Sequence, residues 1–138
     1  MEVIKFTVFA ALLLYAAISD IRIREVSDTV PIMIGITALI GITPAVLPGM
    51  FIAMLVITVP QLAIAMLKPG SYGGADIKIM AACAFLLGME RGFLAIIIGL
   101  STGLLITVIS RLIERRKIND AFPIVPYLAA GSLIAFII

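Results

Sequence analysis

The sequence predicts an all-α, polytopic membrane protein. It has six transmembrane helices, its N-terminus outside, and one domain over residues 1–138. Three observations carry that expectation. First, 63% of the residues are hydrophobic and 13% are charged, with a mean hydropathy of +1.27, whereas a soluble domain is about half apolar and roughly a quarter charged. Second, apolar runs recur along the whole chain, separated by short charged or Gly/Pro-rich segments. Third, a bilayer crossing takes about 20 helical residues, so 138 residues hold at most about six short crossings.

Helix 1 is the apolar run Val3 to Ser19, with Lys5 as its one charge. Its basic end is weak, it follows Glu2, and more hydrophobic runs come after it, so it reads as a helix rather than a cleaved signal. Asp20 to Glu25 forms a charged exit, and Ser27-Asp28-Thr29 offers N-cap residues. Pro31 fits the first turn of helix 2, which runs to about Thr43 before an uncharged turn at Pro44 and Pro48-Gly49. Helix 3 spans about Met50 to Leu67; Pro60 is expected to kink it, and Gln61 brings an amide into the span. A Gly/Pro-rich loop, Lys68 to Asp76, leads into helix 4, which reaches about Gly88 and is closed by Glu90-Arg91. Helix 5 is Gly92 to Ser110. A basic loop from Arg111 to Asp120 then reaches helix 6, Pro123 to Ile138.

Charge sets the orientation. With the N-terminus outside, the inner loops hold Arg22, Arg24, Lys68, Lys78, Arg111, Arg115, Arg116 and Lys117, and the outer segments hold only Lys5 and Arg91. Cytoplasmic loops carry such an excess of Lys and Arg. The expected location is the cell membrane.

Composition also removes whole chemistries. There is no histidine and one cysteine, Cys83, so histidine-based triads, histidine metal sites and intrachain disulfides are excluded. A net charge of +2 offers no electrostatic basis for binding nucleic acid. Among the eight acids, Asp20 and Asp76 stand out. The first lies 15 residues after Lys5, roughly 22 Å of helix, and the second 14 residues before Glu90, roughly 21 Å. Both distances fall short of a hydrocarbon core of about 30 Å, so the two carboxyls are expected below the inner surface at similar height.

An ionisable group there is costly and usually faces a partner or a wet cavity. Two carboxylates close together do not both ionise readily and come to share a proton. That arrangement lets one carboxylate draw a proton from water while the other polarises a peptide carbonyl. Helix capping at each end explains the same residues equally well. Gly73 and Gly74 precede Asp76, and glycine permits close approach of another chain, such as an extended substrate. It also simply ends loops.

On these residues the chain resembles the type IV prepilin peptidases. Gly73-Gly74-Ala75-Asp76-Ile77-Lys78 is similar to their GxGD motif, Asp20 to Asp28 to the segment of their first aspartate, and Phe122 to Gly131 to their last helix. The third motif position is Ala75 rather than glycine, as in the archaeal preflagellin-peptidase branch. The cysteine-rich insert of the long bacterial methylating enzymes is absent from this sequence.

The resemblance implies an aspartic endopeptidase that only cleaves. Asp20 and Asp76 would be its catalytic pair, and it would need no cofactor or metal. Its partners would be the lipid bilayer and pilin-like or archaellin-like precursors, whose short basic leaders it removes at the cytoplasmic face. Gly73, Gly74 and Ala75 would bind substrate, and Asp28 and Glu25 would attract the basic leader. Two simpler roles fit as well: Asp28 as the cap of helix 2, and Glu25 paired with nearby arginines. Lys78 reads as an interfacial anchor, Gln61 as either a crevice group or an interhelical bond, and Gly99-x-x-x-Gly103 as a packing face within the bundle. A small proton- or cation-coupled transporter subunit is the alternative, since intramembrane acids suit it too, although no inverted repeat is visible.

Overall fold

A computed structural model describes residues 2–69, 73–114 and 124–138. The described residues are all helical or in turns, with no strand. Helix α1 covers Glu2–Ile23, α2 Thr29–Ala38, and a 3-10 turn Pro44–Val46 precedes α3, Leu47–Leu67; α4 covers Gly74–Glu114 and α5 Val125–Ile137. The expected inner cations Arg115, Arg116 and Lys117, and the expected start of the last helix at Pro123, lie outside the described residues.

Helix α1 runs one turn further than its apolar stretch. The segment after Ser19 contains no helix breaker, and arginine is a good helix former. Its buried stripe is Lys5, Phe9, Leu13, Ala16 and Asp20, a helical spacing that turns both charged ends of the stripe into the bundle. The helix closes with the Arg24 amide donating to the Asp20 carbonyl (3.0 Å), and Arg24 adopts φ 54°. The Ser19 hydroxyl donates to the Glu25 carbonyl at 2.6 Å and folds the connection back on α1.

Helix α2 ends at Ala38 rather than near Thr43, because Gly41 turns the chain with φ 68°. Pro48-Gly49 is not a turn: it forms the start of α3, where the missing proline N–H would have no helical partner anyway. Pro60 lies within α3, which is helical on both sides of it, and Gln61 is buried against the bundle.

Helix α4 has two limbs, residues 74–87 and 89–114, broken at Gly88 with φ 80° and ψ −173°. Only glycine enters that backbone region readily. A Cβ placed on Gly92 would lie 3.6 Å from the Ala84 Cα, whereas eight residues of straight helix span about 12 Å. The chain therefore doubles back at Gly88. The reversal sits on the glycine, and Glu90-Arg91 belong to the second limb rather than to the break.

Helix α5 is antiparallel to α1. The Phe6 and Phe9 rings meet Phe136 at 5.2 and 5.8 Å, while the start of α5 meets the end of α1. A Cβ on Gly131 would meet the backbone of Ala95 and Gly99, and one on Gly99 would meet Leu128 at 3.0 Å. Gly99 and Gly103 thus seat α5 inside the bundle.

The main core joins Phe9, Leu13 and Ala16 of α1, Val30 and Ile34 of α2, Ile79 and Cys83 of α4, and Val125 and Ala129 of α5. Helix α1 packs on α2 and α5; α4 packs on α2, α3 and α5. Among the described residues α1 and α4 are not direct neighbours, so they stand diagonally across the bundle. Outward positions are apolar, including Leu14, Leu55, Val59 and Leu104. Three stretches, Glu2–Ile23, Pro44–Leu67 and Gly74–Ile113, are long and apolar enough to cross a membrane. Such a surface suits lipid, and the chain is a membrane protein.

Candidate active site

The buried stripe of α1 ends in a carboxyl. Asp20 follows Phe9, Leu13 and Ala16 on one face and is 8% exposed. Its Oδ2 accepts a buried hydrogen bond from the Val125 amide at 3.3 Å. Val125 opens α5, and the first amides of a helix have no internal partner. Pro126 follows and carries no N–H. Asp20 therefore satisfies the first free donor of a helix that begins 105 residues later.

The stripe of the first α4 limb begins in a carboxyl. Asp76 precedes Ile79, Met80 and Cys83 on the buried face and is also 8% exposed. Its Oδ2 accepts from the Gly73 amide at 3.1 Å, and the Ile77 amide donates to the Gly73 carbonyl at 3.3 Å. Gly73 is thus the N-cap and Asp76 the third helical residue, whose side chain reaches back to the cap as in half of a capping box. A Cβ on Gly73 would lie 2.9 Å from Asp76 Oδ2, while Gly74 has open space around it. Gly73 is the glycine that the close approach requires. Ala75, half-buried, follows in the first turn.

The two aspartates sit at the same end of the bundle, on diagonal helices: Asp20 reaches the start of α5, and Lys78 in the first turns of α4 reaches Asp28 in the connection that follows α1. Each also caps a helix. Capping alone explains the hydrogen bond that each makes, but it does not require two carboxyls to be buried at one end of the bundle. Burying two carboxyls at one end of a bundle is costly even with a backbone hydrogen bond to each.

At the same end, Asp28 and Glu25 are exposed. Asp28 occupies the N-cap position of α2 but makes no side-chain cap bond. Its Oδ1 instead pairs with Lys78 Nζ at 2.7 Å, so the expected cap is replaced by an ion pair. The start of α2 explains this: the Val30 amide already donates to the Ser27 carbonyl at 3.1 Å and Pro31 has no N–H, so neither amide that an N-cap side chain bonds is open to Asp28, and its carboxyl reaches α4 instead. Glu25 offers its carbonyl to Ser19 but makes no ion pair among the described residues; the expected pairing with nearby arginines is not formed. Among the described residues no group of three or more acidic or cysteine side chains is placed to hold a metal.

Two partners escape sequence reasoning. The Val125 amide is a backbone group with no residue signature, and the Lys78–Asp28 pair joins residues 50 apart with no periodicity between them. A proline just after a helix start, as at Pro126, is the one available hint that the amide before it needs an outside acceptor.

The model of a family described as "Type IV leader peptidase family" matches residues 7–108, a segment that contains both aspartates. The prepilin leader peptidase/N-methyltransferase of Bacillus subtilis (strain 168) is 29% identical over 148 aligned residues, covering 99% of this chain and 56% of the relative. The chain thus spans about half the length of that curated relative. No solved structure matches the chain.

Proposed function

Because the chain belongs to the type IV leader peptidase family, we propose that it is a membrane aspartic endopeptidase. It removes the short basic leader from type IV pilin-like or archaellin-like precursors, with Asp20 and Asp76 as the catalytic pair. The observation that supports this most is their placement: two buried carboxyls, brought by diagonal helices to one end of the bundle.

The pair holds one proton between them. The ionised member takes a proton from water as the oxygen attacks the scissile carbonyl carbon. The protonated member gives its proton to the carbonyl oxygen. Collapse of the resulting gem-diol breaks the C–N bond: the leaving nitrogen takes the proton from the carboxyl that received one, and a diol hydroxyl returns its proton to the carboxylate that gave one, so the pair again holds one proton. The leader departs as a carboxylate, the mature chain as an amine. Gly73, Gly74 and Ala75 line the approach of the extended substrate to Asp76, while Asp28 and Glu25 face its basic leader.

The chain crosses the cell membrane six times as a single domain with its N-terminus outside, the two limbs of α4 serving as separate crossings. Arg22, Arg24 and Lys78 accompany the aspartates at their end of the bundle, which is the cytoplasmic one by the distribution of positive charge.

The test is incubation of membranes with candidate precursors, wild type beside Asp20→Asn and Asp76→Asn. Asparagine keeps an oxygen acceptor for the Val125 or Gly73 amide, so each cap survives while the proton chemistry is lost. Loss of cleavage by about 10²- to 10⁴-fold in both, with normal insertion, is expected. Cleavage retained in either variant refutes the pair.

A further inference from the structure

The Lys78–Asp28 ion pair joins the first turns of α4 to the start of α2, at the end of the bundle that holds Asp20 and Asp76. Its side chains are 54% and 72% exposed. A pair so open to water contributes little to stability, so nothing in its energetics makes it a permanent clamp. Asp28 has no capping task on α2. Its carboxylate engages the ammonium through Oδ1, the geometry with which it would hold any other lysine, and a guanidinium would use both of its oxygens. Lys78 stands two residues after Asp76, about 200° around the helix from it, so the cation bound by Asp28 lies at the same end of the bundle as the candidate dyad but on the exposed face of α4.

We propose that Asp28 is the subsite for a basic residue of the precursor's leader, and that Lys78 occupies this subsite until the leader displaces it. The inference rests on the peptidase reading above and deepens it. One cation replaces another on Asp28, and the freed Lys78 ammonium returns to water. Glu25, exposed in the same connection, adds negative charge along the incoming leader. An arginine in the leader displaces Lys78 better than a lysine does, because its two parallel N–H donors match the carboxylate.

The full-length protein in lipid nanodiscs is assayed with two synthetic precursors that differ only in one leader residue, arginine or glutamine. Wild type, Lys78→Gln, Asp28→Asn and the double variant are compared. With the arginine precursor, Lys78→Gln lowers KM about 2- to 5-fold, Asp28→Asn raises it by a similar factor, and the double variant matches Asp28→Asn. With the glutamine precursor these KM differences vanish. A fall in kcat with Lys78→Gln on both precursors shows instead that Lys78 positions Asp76 and overturns the proposal, as does a KM indifferent to leader charge. Binding of the arginine leader peptide alone, read by fluorescence anisotropy in the Asp20→Asn background, must rank the Lys78 and Asp28 variants in the same order. That readout decides the exchange even if no precursor is cut, an outcome that would refute the peptidase reading separately.

Discussion

Replacing Gly73 by alanine perturbs the candidate site through a single methyl group. The new Cβ would lie 2.9 Å from Asp76 Oδ2, about 0.6 Å inside the optimal separation of about 3.5 Å for such atoms. The crowded oxygen is not the far end of a flexible side chain. It belongs to a short carboxyl held in place by the Gly73 amide itself. Relief therefore requires the carboxyl to rotate away and that hydrogen bond to stretch or break. A hydrogen bond to a charged group is worth about 1.5–3 kcal/mol. If the lost alignment is expressed in the transition state, kcat/KM falls about 10- to 150-fold. Gly74→Ala is the internal control: its Cβ meets nothing within 4 Å, and alanine suits a helix start better than glycine, so its rate stays within about twofold of wild type. Initial rates of precursor cleavage, with kcat and KM measured separately and insertion checked, decide the matter. Gly73→Ala cleaving like wild type, or both glycines responding alike, refutes the steric argument.

Gly88→Ala forces a side chain into φ 80°, ψ −173° and destabilises the protein by about 1–3 kcal/mol, read as a lower melting temperature in detergent with no new steric clash. Gly131→Ala drives a methyl group into the Ala95 and Gly99 backbone, costing about 1–3 kcal/mol; thermal unfolding measures this, and Gly35→Ala, in open space, serves as the neutral comparison. The Asp20→Asn and Asp76→Asn proteins melt within a few degrees of wild type despite losing cleavage, because each amide retains an acceptor. A large fall in melting temperature would assign those carboxyls to structure instead.

Much of the architecture is legible along the chain. Hydropathy marks the apolar helices, and Pro44 and the end of helix 4 near Gly88 are legible as breaks, whereas Gly41, which ends α2 early, is not. Boundaries are ambiguous where a residue type suits two states. Proline at position 48 reads as a turn but also opens a helix well, and the charged stretch after Ser19 reads as an exit although arginine and isoleucine continue a helix without penalty. Both aspartates are legible as anomalies, acids at the ends of apolar stripes, since burying them is costly wherever the stripes pack.

Sequence by itself determined that this chain is a helical membrane protein with two acids at helix ends, because hydropathy, helix periodicity and backbone breaking act between near neighbours. Tertiary structure alone decided what those acids meet. Only packing sets α1 and α4 diagonally, returns the chain at Gly88, brings the Val125 amide to Asp20 across 105 residues, and joins Lys78 to Asp28 across 50. Contacts of that separation depend on how whole helices fit against one another, and no local pattern of residues encodes that fit.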